Sequence, residues 1–188
     1  MTTLFPHAHV LNVLSDDHPG IVASVGRAVE QLDGNIDACS ETVLEGFFTL
    51  IMLVSFPRPI DSQALAEKVK VAGGGDYQVM ARQFVPPTGD GGGQTERFVI
   101  TAFGKDKPGI LLGFTGYLAG KDINIVDLFG ERKGEDFVLI SQVEIPARWD
   151  IAMLQADLEE IGRAEGFTVR IQHEDIFVAT NQLRLKPC

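Results

Sequence analysis

The same pattern of residues occurs twice in this chain, 89 positions apart. Asp17, Pro19, Gly20 and Ile21 fall on Asp106, Pro108, Gly109 and Ile110. Asp33, Asn35 and Ile36 fall on Asp122, Asn124 and Ile125, while Pro57 and Asp61 fall on Pro146 and Asp150. One residue inserted near Gly73–Gly75 then brings Tyr77 and Val79 onto Phe167 and Val169. Internal repetition dictates that each copy is one folding unit and that the chain is two of them. Between the copies stands PPTGDGGGQT, rich in residues that deny backbone donors or add flexibility, with no Lys-Ser or Lys-Thr to make its glycines a phosphate loop. The expected organisation is therefore a first module over 1–85, a linker over 86–95, and a second module over 96–188 with a short C-terminal tail.

Each copy changes periodicity in the same order. His9 to Leu14 and Phe98 to Phe103 read as short apolar strands. A helical stripe follows: Ile21, Val22, Val25, Ala28, Val29 and Leu32 in one copy, and Ile110, Leu111, Phe114, Tyr117 and Leu118 in the other. Asn35 to Leu44 and Asn124 to Lys133 are second strands, closed by the turns Glu45-Gly46 and Gly134-Glu135. The second copy's strand alternates Ile125, Asp127, Phe129 and Glu131 with Val126, Leu128 and Gly130. Phe47 to Phe56 and Phe137 to Ile145 are the most apolar segments, as a strand paired on both sides should be. Asp61 and Asp150 stand at N-cap positions for second helices. Tyr77 to Val85 and Phe167 to Val178 read as closing strands. The fold class is α+β: two ferredoxin-like βαββαβ modules, each a four-stranded antiparallel sheet with two helices on one face.

Composition narrows function mainly by exclusion. The net charge of −10 is spread over both copies, so no basic face offers itself to a phosphate backbone and no direct nucleic-acid partner is expected. No apolar run approaches the roughly 20 residues of a membrane helix, and MTTLFPHAHV has no basic region leading into an apolar one; a cytoplasmic location with no membrane partner is the expectation. Cys39 and Cys188 make no redox pair. His7, His9, His18 and His173 have no ligand spacing, so no metal and no cofactor is expected. No nucleophile elbow or Ser/His/Asp set is visible, no catalytic residue is assigned, and the chain reads as a non-enzyme. Glu159-Glu160 and Glu174-Asp175 read as solvated acids, the second pair in a late strand.

What remains is the repeated Asp-x-Pro-Gly-Ile between first strand and first helix. Such a loop can hold an anion: glycine lets a ligand approach the backbone, and the helix's first N–H groups face outward. An amino-acid carboxylate would fit there, with Asp17 and Asp106 meeting the ammonium and Asn35 and Asn124 offering both donor and acceptor. The same residues also serve to start a helix and make a turn.

The stretches DDHPGIVASVGRAVEQLDGNIDAC and KDKPGILLGFTGYLAGKDINIVDL resemble the ACT family over nearly the whole chain. The first copy, with ETVLEGFFTLIMLVSFP, looks like the first module of the glycine cleavage system transcriptional repressors. The resemblance implies a regulatory protein that binds a small amino acid, of glycine or serine type, where two modules meet. By resemblance the ligand residues are Asp17, His18, Pro19, Gly20, Ile21, Asn35 and Ile36, with Asp106, Lys107, Pro108, Gly109, Ile110, Asn124 and Ile125. His18 against Lys107 gives the two loops different charge. The implied partners are the amino acid and a protein, such as a transcription factor or an enzyme, with pairing into a homodimer as one arrangement. The alternatives are a detached regulatory subunit of an amino-acid or folate-pathway enzyme, and a scaffold whose loops are vestigial.

Overall fold

A computed structural model of the chain describes residues 3–86 and 93–182. The linker expectation falls largely on 87–92, outside the described residues, as does Cys188. The described residues form two compact units on either side of that segment.

In the first unit, β1 (His7–Asp16), α1 (Ile21–Glu30), β2 (Asn35–Leu44), β3 (Phe47–Phe56), α2 (Ser62–Ala72) and β4 (Gln78–Gln83) follow in order. The sheet is antiparallel, in the order β2-β3-β1-β4. The second unit repeats this with β5 (Thr95–Lys105), α3 (Ile110–Gly120), β6 (Asn124–Lys133), β7 (Asp136–Pro146), α4 (Ile151–Glu165) and β8 (Phe167–His173), ordered β6-β7-β5-β8. The apolar third strands are central in both sheets. Each hairpin joins two strands through two residues. Glu45 and Gly46 both have positive φ, as a type I′ turn requires, whereas among Gly134 and Glu135 only the glycine does.

Each unit encloses its own core between its helices and one face of its sheet. Leu11, Val13, Val25, Val29, Leu50, Phe56, Leu65 and Val69 close the first, and Ile100, Phe114, Leu118, Leu139, Ile145, Leu154 and Leu158 the second. Val22, Leu111 and Leu112, at the edge of the helical stripes, remain exposed. Asp61 and Asp150 cap their helices as expected, accepting hydrogen bonds from Ala64 N and Met153 N at 2.9 Å each.

Two expectations need correction. The closing strand of the second unit stops at His173, and Glu174–Gln182 is a helix, α5, in contact with β5 and β8. Glu174 and Asp175 therefore sit in a helix's first turn, where acids complement the dipole, and Asp175 N donates to His173 Nδ1 at 3.3 Å. The alternation read in β6 is broken by a bulge: Ile125 pairs with Val143 and Asp127 with Gln142, leaving Val126 without a partner. The first copy has the same bulge at Asp37.

His9 illustrates how the copies diverged. It is 3% exposed, edge-on to Phe56 at 5.9 Å, and its Nδ1 has no partner; the second copy has Phe98 in its place. Burial pushes the imidazole pKa below its ordinary 6.5, more than the Ile60 backbone and the Asp61 charge raise it. The unfolded chain thus binds a proton that the folded unit refuses, and stability falls as pH drops below about 6.5. His9→Phe should flatten that dependence, which melting curves at pH 5 and pH 7.5 for parent and variant would reveal.

Candidate functional site

The Asp-x-Pro-Gly loops are built alike. Gly20 and Gly109 are the helix N-caps, in the left-handed region at φ 101° and 92°, and neither helix has a side-chain cap. Gly20 and Gly109 therefore turn the chain into the helix where an L-residue with a Cβ would be strained. The loop is tied down one step earlier, because Asp17 N donates to Gly46 O and Asp106 N to Glu135 O, both at 2.8 Å. Asp17, His18, Pro19, Asp106, Lys107 and Pro108 are exposed, while Ile21 is buried and Ile110 half-buried as the first core residues of their helices.

Around these shared backbones the side chains differ. Asp106 pairs with Arg132 Nε at 3.3 Å, an ion pair for which the first copy has Val43 at the matching position. Its carboxylate is already partnered, whereas among the described residues no ion pair holds Asp17. Lys105, opposite Asp16 in the repeat, pairs with Glu135 at 2.7 Å and Asp136 at 3.7 Å; these hydrogen bonds and charges raise its pKa. His18 stacks on Tyr77, with ring centroids 6.2 Å apart. Lys107 reaches toward the end of α4, its Nζ 3.8 Å from where a Cβ on Gly166 would stand.

Within a module, the structure does not bring the asparagine to the loop. The Asp-x-Pro-Gly loop lies at the hairpin end of the sheet, where Asp16 pairs with Phe47, while Asn35 lies at the other end, opposite Ser55. α1 runs between them, and its ten residues are about 15 Å long, more than a single amino acid spans. Asn124, opposite Glu144, and Gly109 are separated in the same way. Ile36 and Ile125 follow their asparagines, and Ile36 leans on α1 beside Gly26.

The two asparagines also differ. Asn35 Nδ2 donates to Asp37 Oδ1 at 2.9 Å, and the same oxygen accepts from Leu4 N at 2.9 Å. Burial raises the Asp37 pKa, but the Ser55 hydroxyl, Leu4 N–H and Asn35 amide together outweigh it and hold the carboxyl below its ordinary value. Asn124 makes only a long contact to Glu144, 3.4 Å, and is exposed.

Cavities beside the loops differ in kind. Next to the first loop is a surface depression of about 440 Å³ lined by Leu14, Ser15, Asp16, His18, Phe47, Asp76 and Gln78. In the second unit a smaller, apolar pocket of about 80 Å³ opens beside Gly109 and runs between α3, α4 and the sheet. Sequence reading missed it, although the exchange of Ser24 for Gly113 across the repeat marks its wall.

The ACT domain model matches residues 7–72 and 96–172, so both copies carry it. A UPF0237 protein of Methanosarcina acetivorans is 34% identical over 84 residues, covering 91% of that protein and 44% of this chain. The corresponding protein of Methanocaldococcus jannaschii is 38% identical over 82 residues, 91% of its length and 43% of this chain. Among solved structures, a protein of Galdieria sulphuraria with no assigned role superposes with a TM-score of 0.74 at 24% identity, over 89% of this chain and 98% of that one. A protein provisionally designated a glycine cleavage system transcriptional repressor superposes at 0.63 and 20% identity, with the same coverage. At these identities the structural likeness is one of fold. The duplicated topology, the paired left-handed glycine caps and the family match over both copies make this chain a tandem member of the ACT domain family.

Proposed function

We propose that the chain is a non-catalytic regulatory protein that binds a small amino acid at its Asp-x-Pro-Gly loops and passes that occupancy to a protein partner. The observation that carries this reading is the exposed, left-handed glycine N-cap present in both copies: it leaves the backbone open to a ligand at a point where no side chain caps the helix. Because Asn35 and Asn124 lie a helix length from their own loops, a ligand touching both kinds of residue does so between the loop of one module and the second-strand start of another. Such a ligand favours one relative orientation of modules, and its differential affinity sets the size of the shift. The first loop, bordered by a depression where Ser15, Asp16, His18, Asp76 and Gln78 stand beside Leu14 and Phe47, suits an amino acid of glycine or serine type. Regulation of the glycine cleavage system through a partner that itself binds DNA is the role this supports, consistent with the acidic surface charge.

A thermal-shift screen of the full chain against the twenty amino acids tests the reading, since a ligand at a hundredfold excess over its Kd adds about 2.7 kcal/mol. Failure of every amino acid to raise the melting temperature would dispose of it. The asparagines should then separate. Asn35→Ala should lower stability by about 1 to 3 kcal/mol, because the Asp37 carboxylate loses a half-buried hydrogen-bond partner. Asn124→Ala should leave the melting temperature nearly unchanged and weaken the ligand by about 1.5 to 3 kcal/mol in calorimetry.

A further inference from the structure

The second unit's pocket is walled by Ala102 and Leu139 from the sheet, Phe114 from α3, and Leu158 and Ile161 from α4. Gly109 and Glu165 also line it, and the Lys107 ammonium lies 3.8 Å from where a Cβ on the neighbouring Gly166 would stand. In the first copy Tyr77 stands where Phe167 lines this pocket. There Tyr77 is 3% exposed, its ring lies 2.3 Å from where a Cβ on Gly73 would stand, and its hydroxyl meets Ser24 Oγ at 2.9 Å. Across the repeat Tyr77 becomes Phe167, Ser24 becomes Gly113 and Val13 becomes Ala102. The hydroxyl, its partner and two methyl groups are lost there, while Val25 becomes Phe114 and Ala72 becomes Ile161, larger residues that form two of the pocket's walls.

We propose that this pocket receives the branched aliphatic side chain of an amino acid such as valine or leucine, with its ammonium at Glu165 and its carboxylate at Lys107. The inference rests on the reading of the chain as an amino-acid sensor and assigns the second module a ligand class of its own. Size fixes the side chain. An apolar cavity of about 150 Å³ takes benzene, so about 80 Å³ takes roughly three or four carbons. The apolar walls exclude polar side chains, since nothing inside would satisfy them. Glu165 on the lining and Lys107 beside Gly166 supply opposite charges for the two ends of a zwitterion.

Calorimetry on the full chain with valine, leucine, serine and glycine tests this. Each buried carbon is worth a factor of about four, so at the site that the narrowed variants weaken valine should bind roughly fifty-fold more tightly than glycine. Gly113→Leu and Ala102→Val narrow the pocket from the helix side and the sheet side. A Cβ on Gly113 meets nothing within 4 Å and that position has ordinary helical geometry, so the variant should fold. Both variants, confirmed folded by circular dichroism, should lose at least tenfold in valine affinity, while Gly116→Ala, on the same helix but outside the pocket, should bind as the parent does. Undiminished valine binding by both narrowed variants would overturn the proposal. Absence of valine binding from the parent, with glycine or serine binding that the narrowed variants lose instead, would overturn it too, yet leave the sensor reading standing; binding of no amino acid would remove both.

Discussion

Phe56→Ala should cost the first unit about 3 to 5 kcal/mol, the range for an aromatic side chain removed from a core that relaxes only partly. Phe56 is fully buried at the end of β3, where it meets the edge of His9. The backbone on its other side is already close: a Cβ on Gly34 would stand 2.4 Å from the ring. Neighbours packed so tightly, with no side chain on the glycine to swing inward, cannot collapse into the space. A unit of about 80 residues has little stability in reserve, so the loss should leave it largely unfolded under mild denaturant. Hydrogen exchange resolved to the amides of β1, β3 and α1 reads the effect in the first unit itself. A change below about 1.5 kcal/mol would mean that this end of the core is not closed.

Gly104→Ala is expected to cost about 3 kcal/mol, the upper end for forcing extra volume into a packed site, and it acts on backbone rather than on the core. Its Cβ would lie 2.3 Å from Gly166 O and 2.9 Å from Phe167 Cα. Neither atom can rotate aside, so the end of β8 must peel from β5. The first copy carries Ser15 at the matching position, because its β1–β4 pairing ends one residue sooner, at Leu14 with Gln78, whereas β5–β8 continues to Gly104 with Phe167. Urea unfolding should show a lower midpoint with an unchanged slope, and exchange should quicken at Phe167 and Thr168. Stability within 1 kcal/mol of the parent would show that this strand end is loose already.

Most of the fold was legible because repetition supplies two readings of each element. The hairpins, the central strands and the capping aspartates recur in both copies and agree. Among the described residues α5 has no counterpart in the first copy, and the apolar run Ile176 to Val178 carries strand propensity; Glu174 and Asp175, favourable at a helix start, were the signal against it. The bulges escaped because they shift the pairing without changing which residue types are present. At the candidate site, the loop residues were legible and their arrangement was not. Asn35 was read as open to a ligand, yet Asp37, two residues along and in the bulge, holds its amide. Asp106 was read as the twin of Asp17, but its pairing with Arg132 joins residues 26 apart in sequence, and spacing alone does not report such a contact. The separation of asparagine from loop follows from the direction of α1, which only topology reveals.

The glycine caps have a stereochemical consequence. At φ 101° and 92° the backbones of Gly20 and Gly109 lie in the basin that suits a mirror-image residue, the one in which L-amino acids are strained. Chirality, rather than bulk, therefore decides what can replace them. A D-alanine introduced by chemical synthesis would sit at its own conformational minimum and restrict the unfolded chain, whereas its L enantiomer, identical in volume and hydrophobicity, would meet backbone strain at the same atom. The entry to each helix thus distinguishes left from right in a residue that has no handedness of its own.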